Sequence, residues 1–153
     1  AFDKYTQEKL VFQIRVNVEA TLSITRFVIE RRAEKLKILT VGSMSGTTPM
    51  PYFAIYSASK AFLLNFFTSL RYEVKNAKIT TLIPGGIPTT GKMSSKPSTF
   101  VVKKALKALN KNKRKVIPGA FNKFVYFLER ITPLSIQCRY IARKWSKKEK
   151  DHF

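Results

Sequence analysis

Two residue types that build many catalytic sites are almost missing, since the 153 residues include one cysteine and one histidine. Cys138 therefore has no partner for an internal disulfide, and together with His152 it falls short of the ligands of a Cys/His zinc site. A Ser-His or Cys-His nucleophile would depend on the penultimate residue, which argues against that kind of hydrolase. We expect no metal site.

Acidic residues are also scarce, with 9 Asp and Glu against 29 Lys and Arg, for a net charge of +20. The excess is concentrated in residues 101–153, which carry 15 basic and 3 acidic side chains. Such a surface attracts the phosphates of nucleic acids, anionic lipids or cofactors. A solvated lysine-rich surface is the plainer alternative. Because no zinc-finger, RNP-type or basic-aromatic repeat accompanies the charge, we expect no specific nucleic-acid partner.

Long apolar runs are absent too. No segment approaches the roughly 20 apolar residues that a membrane-spanning helix needs, and Ala1-Phe2-Asp3-Lys4 does not begin a signal peptide. The hydrophobic content of 44% nevertheless exceeds that of a disordered chain. These features predict one soluble, cytoplasmic domain.

Apolar periodicity predicts helices alternating with short β-branched strands. The helices are expected at 6–34, 54–74, 98–109 and 120–131, and the strands at 37–41, 78–83 and 115–117. In the second helix one apolar row is formed by Ala58, Phe62, Phe66 and Leu70, and Ser98 is a suitable N-cap for the third. Residues 88–97 are expected to form a loop, and 133–153 a basic C-terminal tail. The alternation indicates an α/β fold with parallel strands and crossover helices.

Tyr56-Ser57-Ala58-Ser59-Lys60 opens the second predicted helix. Its four-residue spacing places Tyr56 and Lys60 on one helix face, about one turn apart. A lysine ammonium near a phenol favours the phenolate and lowers the tyrosine pKa. The pair can then move a proton to or from an alcohol or carbonyl. By itself the spacing is more often accidental than catalytic.

The surroundings of this pair strengthen the catalytic interpretation. Ser43 follows the first predicted strand and Pro84-Gly85-Gly86 follows the second. Ligands of open α/β sheets bind outside these strand ends, so both segments should border one site. Asn17 interrupts an apolar helix face, and a buried asparagine requires hydrogen-bond partners.

Together these stretches resemble the C-terminal part of a short-chain dehydrogenase/reductase. The similar segments are 16–20, 38–46, 56–62 and 84–89, whereas 91–153 resemble more loosely the broad-specificity microbial members and the 17-beta-hydroxysteroid/3-ketoacyl-CoA reductase-like branch. The resemblance implies a Rossmann doubly wound parallel sheet with helices on both faces. It also implies an NAD(P)-dependent oxidoreductase that interconverts a carbonyl and an alcohol.

The resemblance assigns roles residue by residue. Tyr56 would be the general acid/base, Lys60 would lower its pKa and hold the nicotinamide ribose, and Ser43 would polarise the substrate carbonyl. Asn17 would hold a water that links Lys60 to a proton relay. The segment that positions the nicotinamide would contain Pro84, Gly85, Ile87 and Thr89, and residues 88–97 would form the substrate loop.

The sequence departs from this family in its glycines. All 6 lie at positions 42, 46, 85, 86, 91 and 119, and none belongs to the Gly-rich turn that binds the cofactor pyrophosphate. We therefore expect residues 1–153 to be the C-terminal part of a single NAD(P)-binding Rossmann domain that lacks the first βα units. The isolated chain is expected to bind cofactor weakly, to be inactive and to be marginally folded, with the strand at 37–41 exposed as an edge.

Several alternatives remain open. The basic composition favours NADP over NAD, and the resemblance implies a homo-oligomer and a moderately apolar small-molecule substrate. The chain could instead be a non-catalytic fragment or relic that acts as an interaction module, or a basic module that associates with nucleic acid or membrane. The helix at 120–131 is expected to face the core or a dimer partner. Its alternative is peripheral contact with an anionic bilayer, made by Phe121, Phe124, Val125, Leu128 and Ile131 together with Lys123, Arg130, Arg139, Arg143 and Lys144.

Overall fold

Three parallel strands form the centre of the fold in a computed structural model, which describes residues 2–31, 34–85 and 97–150, without the side chains of 148–150. The strands are β1 (Leu36–Val41), β2 (Ala77–Leu82) and β3 (Lys115–Val116), in the order β1-β2-β3. Leu36 pairs with Ala77 at one end and Val41 with Leu82 at the other, while Thr81 pairs with Lys115. The predicted α/β class with a parallel sheet is confirmed.

Helices connect these strands and continue after them. They are α1 (Gln7–Ile14), α2 (Ala20–Glu30), α3 (Ala54–Glu73), α4 (Ser98–Asn110), α5 (Ala120–Ile131) and α6 (Leu134–Lys150). A π-helical turn, Arg15–Glu19, joins α1 to α2, and short 3-10 turns occupy Phe2–Lys4 and Met44–Gly46.

The sheet is covered on both faces. On one face α3 contributes Leu63, Phe67 and Leu70 to a cluster with Ile79 of β2. On the other face Val101 and Ala105 of α4 pack on Leu82. Because alternate residues of a strand point to opposite faces, Ile79 and Leu82 can serve the two clusters from one strand. The doubly wound arrangement predicted from the sequence is therefore present around β2.

Most predicted boundaries lie within one or two residues of the observed ones, with three differences. The first helix ends at Glu30 and contains the π turn, whereas it was expected to continue to residue 34. The N-cap of α4 is Pro97, and Ser98 is its first helical residue. A helix, α6, follows Pro133 where only a basic tail was expected. The predicted loop at 88–97 lies outside the described residues except for Pro97.

The apolar row of α3 is displaced by one residue from the predicted one. Besides Ser57, the buried residues of α3 are Ser59, Leu63, Phe67 and Leu70, which form one row. Phe62 and Phe66 are only partly buried and pack beside this row, with their rings stacked at a centroid distance of 5.4 Å. Leu70 alone belongs to both rows. The displacement matters for the site, because it turns the side chain of Ser59 into the protein.

Considerable surface remains uncovered. The chain exposes 10909 Å², whereas a compact monomer of this size is expected to expose roughly 7,900 Å². In the described residues β1 pairs only with β2, and Val41 at its end is 53% exposed. The predicted exposed edge at β1 is thus present. Among the described helices, none is long and apolar enough to cross a bilayer.

We expect the isolated 153-residue chain to be marginally stable, with a free energy of unfolding below about 5 kcal/mol, the lower end for natural domains. The reason is the large uncovered surface and the unpaired edge of β1. Urea denaturation followed by circular dichroism measures this quantity. A cooperative transition with a free energy of unfolding well above that limit would contradict the expectation.

Candidate active site

The π turn places Asn17 on the inner side of the first helical segment. In this turn the Ala20 N–H donates to the carbonyl of Arg15, five residues earlier instead of four. π turns of this kind are frequent at functional sites because they displace one side chain from the regular helical pattern. The Asn17 carbonyl accepts a hydrogen bond from Thr21 Oγ1 at 3.0 Å.

The side chain of Asn17 contacts α3 directly. Its Nδ2 donates to Ser59 Oγ at 3.0 Å, and Ser59 Oγ in turn donates to the Tyr56 carbonyl at 2.8 Å. Ser59 is almost fully buried. A buried polar pair of this kind ties the π turn to the first turn of α3. The expected water-mediated role of Asn17 toward Lys60 stays a prediction.

Lys60 connects α3 to the end of β1. Its Nζ lies 3.4 Å from the carbonyl oxygen of Val41 and 5.8 Å from the centroid of the Tyr56 ring. Burial lowers the pKa of Lys60 from its ordinary value, because a low-dielectric environment disfavours the charged form. The predicted neighbours Tyr56 and Lys60 are therefore together at the carboxyl end of the sheet.

Ser43 begins the 3-10 turn that follows β1. Its Oγ accepts a hydrogen bond from the Ser45 N–H at 3.1 Å, and its backbone is extended. Since a hydroxyl can accept and donate at once, the Ser43 O–H proton remains available to another acceptor. The Met44 N–H donates to the Pro84 carbonyl at 3.0 Å, so the segments after β1 and β2 are adjacent, as predicted.

Gly46 allows this turn to lie against α3. A Cβ at Gly46 would lie 2.7 Å from the carbonyl carbon of Lys60 and 2.9 Å from the Ala61 nitrogen. Both are backbone atoms, which cannot move aside as a side chain can. The turn that presents Ser43 and the helix that presents Lys60 are thus in direct backbone contact.

The remaining predicted cofactor residues are only partly described. Pro84 borders Ser43 as stated above, and Gly85 lies against the side chain of Asn122 from α5. Ile87 and Thr89 lie outside the described residues. No group of three or more potential metal ligands occurs among the residues that the structure describes.

Tyr56 also borders a cavity of about 360 Å³, a size within the range of small-molecule sites. Five of the lining side chains are aromatic, and others come from α1 and the start of α3. The complete lining consists of Phe2, Tyr5, Leu10, Gln13, Tyr52, Phe53, Ala54, Ile55 and Tyr56. Tyr52 has a φ of 73°, a left-handed conformation that is unusual for a bulky residue and is often found at functional sites.

Sequence reasoning missed three residues of this site. Ser59 lies within the Tyr56–Lys60 motif, but no local pattern indicates its role, because its contact with Asn17 spans 42 residues. Gly46 was recognised only as part of a similar segment. Phe53 was not singled out, although its ring packs edge-to-face on Trp145 at 4.7 Å and so joins the cavity wall to α6. Only Gly46 carries a sequence signal. A glycine in the turn before the helix of Tyr56 and Lys60 indicates that two backbone segments approach each other closely.

Gly46→Ala is expected to lower the free energy of unfolding by about 1–3 kcal/mol, the range for overpacked sites. The new Cβ would meet the backbone of α3. Gly85→Ala is the comparison, because its Cβ would meet the end of the Asn122 side chain, which can move aside at the cost of its hydrogen bond to Pro118, and not a backbone segment. Chemical denaturation of both variants measures the difference. An equal effect would show that the backbone contact at Gly46 is not a tight one.

Asn17→Ala and Ser59→Ala are expected to be coupled, since each removes a partner from the same part-buried hydrogen bond, in which Ser59 is almost fully buried. A buried donor or acceptor left without its partner costs about 1–3 kcal/mol, so the double variant should lose less stability than the sum of the two single variants. Ser23→Ala removes an exposed hydroxyl that donates to the Glu19 carbonyl. It is the control, since its effect on stability should add to that of Asn17→Ala. Strict additivity between Asn17 and Ser59 would be the contrary result.

Comparison with known proteins agrees with this geometry. Residues 1–99 match the family described as short chain dehydrogenase. A very-long-chain 3-oxoacyl-CoA reductase of Laccaria bicolor is 38% identical over 76 residues, which are 48% of this chain and 22% of that protein. The 11-beta-hydroxysteroid dehydrogenase-like 3 of Arabidopsis thaliana is 41% identical over 91 residues, 58% of this chain and 29% of that protein. The chain thus spans less than a third of the length of these curated relatives.

Solved structures show the same fold. A bulky-bulky ketone specific alcohol dehydrogenase from Comamonas testosteroni superposes with a TM-score of 0.73 at 23% identity, over 85% of this chain and 54% of the other. A short-chain dehydrogenase from Sphingobium yanoikuyae, in complex with NADPH, superposes with a TM-score of 0.66 at 18% identity, over 87% and 61% of the two chains. With the family match extending over residues 1–99, the chain belongs to the short chain dehydrogenase family.

Proposed function

We propose that these residues form the proton-transfer part of an NAD(P)-dependent oxidoreductase that interconverts a carbonyl and an alcohol. The observation that carries the proposal is the position of Lys60, whose Nζ is held by the Val41 carbonyl 5.8 Å from the Tyr56 ring centroid. This places a phenol and an ammonium at the carboxyl end of β1, where open α/β sheets bind their ligands.

In the proposed reduction the Tyr56 hydroxyl donates its proton to the substrate carbonyl oxygen, and in oxidation the phenolate takes it back. The Lys60 ammonium stabilises the phenolate that remains after the proton has left, because unlike charges attract strongly in a partly buried site. The free O–H proton of Ser43 donates to the same carbonyl oxygen and polarises it. Asn17 acts through Ser59, which holds the first turn of α3 in place.

The described residues fit the nicotinamide end of the cofactor. Lys60 makes one hydrogen bond, to Val41, in the described part of the chain, and an ammonium has three N–H donors. Two donors are thus available to the hydroxyls of a ribose. The segment from Pro84 to Thr89 would position the nicotinamide, either of NADP or of NAD. When bound, that group exchanges a hydride with the substrate carbon.

The cavity beside Tyr56 supports an apolar substrate. Its wall is rich in aromatic side chains, and such surfaces favour hydrophobic molecules that bring few polar groups. The names of the curated relatives point the same way, since they refer to a very-long-chain 3-oxoacyl-CoA and to an 11-beta-hydroxysteroid. We therefore propose a bulky apolar ketone or secondary alcohol as the substrate class.

Tyr56→Phe is expected to lower kcat by at least about 10²-fold, the usual contribution of a positioned general acid or base. The measurement is NADPH-dependent reduction of an apolar ketone by the polypeptide encoded by the whole reading frame that contains these residues. Tyr72→Phe, which changes a highly exposed tyrosine of the same helix, is the matched control. The 153-residue chain alone is expected to show no turnover.

Unchanged kcat in Tyr56→Phe would overturn the proposal. An inactive full-length protein with no affinity for either nicotinamide cofactor would instead favour the non-catalytic alternative.

Lys60→Arg is expected to move the alkaline limit of kcat/KM to higher pH. Burial lowers the pKa of Lys60, so its ammonium loses its proton, and the activity that depends on it, at a lower pH than an exposed lysine would. Arginine stays charged throughout this range. A pH profile of kcat/KM for the two proteins gives the comparison, and coincident alkaline limits would show that Lys60 does not set this limit.

A further inference from the structure

Helix α5 has its apolar face turned to the solvent. Its exposed apolar residues recur at positions 121, 124, 127, 128 and 131, a spacing that places them on one side of the helix. The exposures are 75% for Phe121, 57% for Phe124, 58% for Phe127, 39% for Leu128 and 62% for Ile131. A helix on the surface of a globular protein normally buries such a face. This helix was expected to face the core or a dimer partner; in the described residues the face does not pack on the chain's own core, and the dimer alternative stays a prediction.

Polar side chains on the opposite side of α5 explain this orientation. Asn122 Nδ2 donates to the Pro118 carbonyl at 2.8 Å, and Glu129 Oε2 accepts from Thr47 Oγ1 at 2.6 Å. Between them, the Tyr126 hydroxyl accepts from Lys115 Nζ of β3. The contacts of Tyr126 and Glu129 attach the polar side of the helix to β3 and to the turn after β1, and that of Asn122 holds its first turn to the preceding Pro118. The apolar face cannot turn inward without breaking all three.

Gln137 links α6 to the end of α5 and to Thr48. Its Nε2 donates to the carbonyls of Glu129 and Thr132, each at 2.8 Å, and its Oε1 accepts from Thr48 Oγ1 at 2.6 Å. Exposed apolar side chains continue onto α6 at Ile136 and Tyr140. The same helical row then becomes basic, at Arg143, Lys144 and Lys147. An apolar row that passes into a basic one is typical of helices at a lipid-water interface.

A basic groove borders the start of α5. It lies between α4, β3 and the first turn of α5, and has a volume of about 600 Å³. Six lysines line it, and the described lining contains no acidic side chain: Lys104, Lys107, Lys111, Lys113, Lys115 and Lys123. Lys123 also follows Phe121 and precedes Phe124 on α5, so the groove and the apolar face meet along this helix. Such a concentration of positive charge attracts phosphate groups.

The apolar face of α5 and the basic groove together indicate what kind of partner binds this surface. A second copy of this chain would cover the apolar face but, with a net charge of +20, would bring few anions to the groove. Nucleic acid would bring phosphates but would leave three phenylalanines in water. An anionic bilayer supplies both an apolar interior and surface phosphates. The family model matches residues 1–99, so most of the residues of this surface follow the matched segment.

We propose that α5, α6 and the six-lysine groove form a docking surface for an anionic lipid bilayer. Phe121, Phe124 and Phe127 enter the acyl boundary, and the lysines contact the lipid headgroups. The surface is attached to the segment 47–53 through Thr47, Thr48 and Phe53. Docking therefore places the aromatic cavity beside Tyr56 near the membrane.

Co-sedimentation of the full chain with vesicles tests the proposal. We expect binding to phosphatidylcholine vesicles that contain phosphatidylserine, and much weaker binding to phosphatidylcholine alone. Replacing Lys104, Lys107 and Lys111 by glutamine should weaken binding by about a hundredfold, since each basic residue near an anionic surface contributes about fivefold. The charge-matched control replaces Lys9, Lys35 and Lys75, which are exposed elsewhere, and should lose far less.

A second pair of variants tests the contribution of the apolar face to vesicle binding. Replacing Phe121, Phe124 and Phe127 by serine should abolish binding, whereas replacing the equally exposed Phe12, Ile24 and Phe27 of α1 and α2 should not. All six positions are exposed, so circular dichroism should show both variants folded. In a Cys138→Ser background, an environment-sensitive dye on Phe124→Cys should shift to the blue with anionic vesicles, and the same dye on Phe12→Cys should not.

Three results would overturn the proposal. One is equal binding to both kinds of vesicle, and another is an equal loss in a test variant and its control. The third is a dimer in light scattering that the three serines on α5 convert to a monomer, with no vesicle binding by the parent chain. That result would assign the face to a second copy.

Discussion

The close approach of the turn Met44–Gly46 to the backbone of α3 is the constraint on which the rest of the site depends. No side chain fits between them, since a Cβ at Gly46 would lie 2.7 Å from the Lys60 carbonyl carbon. The turn starts from β1, and the Gly42 and Met44 N–H groups donate to the carbonyls of Leu82 and Pro84. Parallel pairing of two strands therefore determines where Ser43 lies relative to the helix that carries Tyr56 and Lys60.

The segment that follows this turn is held from two sides. On one side Ser57 Oγ of α3 donates to the Thr48 carbonyl. On the other, Glu129 and Gln137 accept hydrogen bonds from Thr47 and Thr48. Burial raises the pKa of Glu129 above its ordinary value, and the hydrogen bond from Thr47 offsets part of this increase. The segment 47–53, which contributes to the cavity wall, and the helices α5 and α6 are thus parts of one connected structure, although Thr47 and Glu129 lie 82 residues apart in the chain.

Much of the fold followed from the sequence because β-branched strands and apolar periodicity are local signals. The pair Tyr56 and Lys60 was found for the same reason, since one helical turn determines their spacing. Three features had no local signal. The π turn arises from a single shifted hydrogen bond, α3 carries two adjacent apolar rows that periodicity cannot rank, and the outward face of α5 is decided by polar contacts with Pro118, Lys115 and Thr47. Apolar periodicity identifies the apolar face of a helix, but it does not show what packs against that face.

The π turn makes the length of the first helical segment part of the site. A π turn is equivalent to an α-helix that has accommodated one extra residue, so a single deletion within Arg15–Glu19 could restore regular α-helical hydrogen bonding while leaving the rest of the segment helical. The deletion would, however, remove the displacement that brings Asn17 to Ser59. An insertion or deletion here can therefore preserve the fold and disconnect the site, a change that no comparison of residue types alone would reveal.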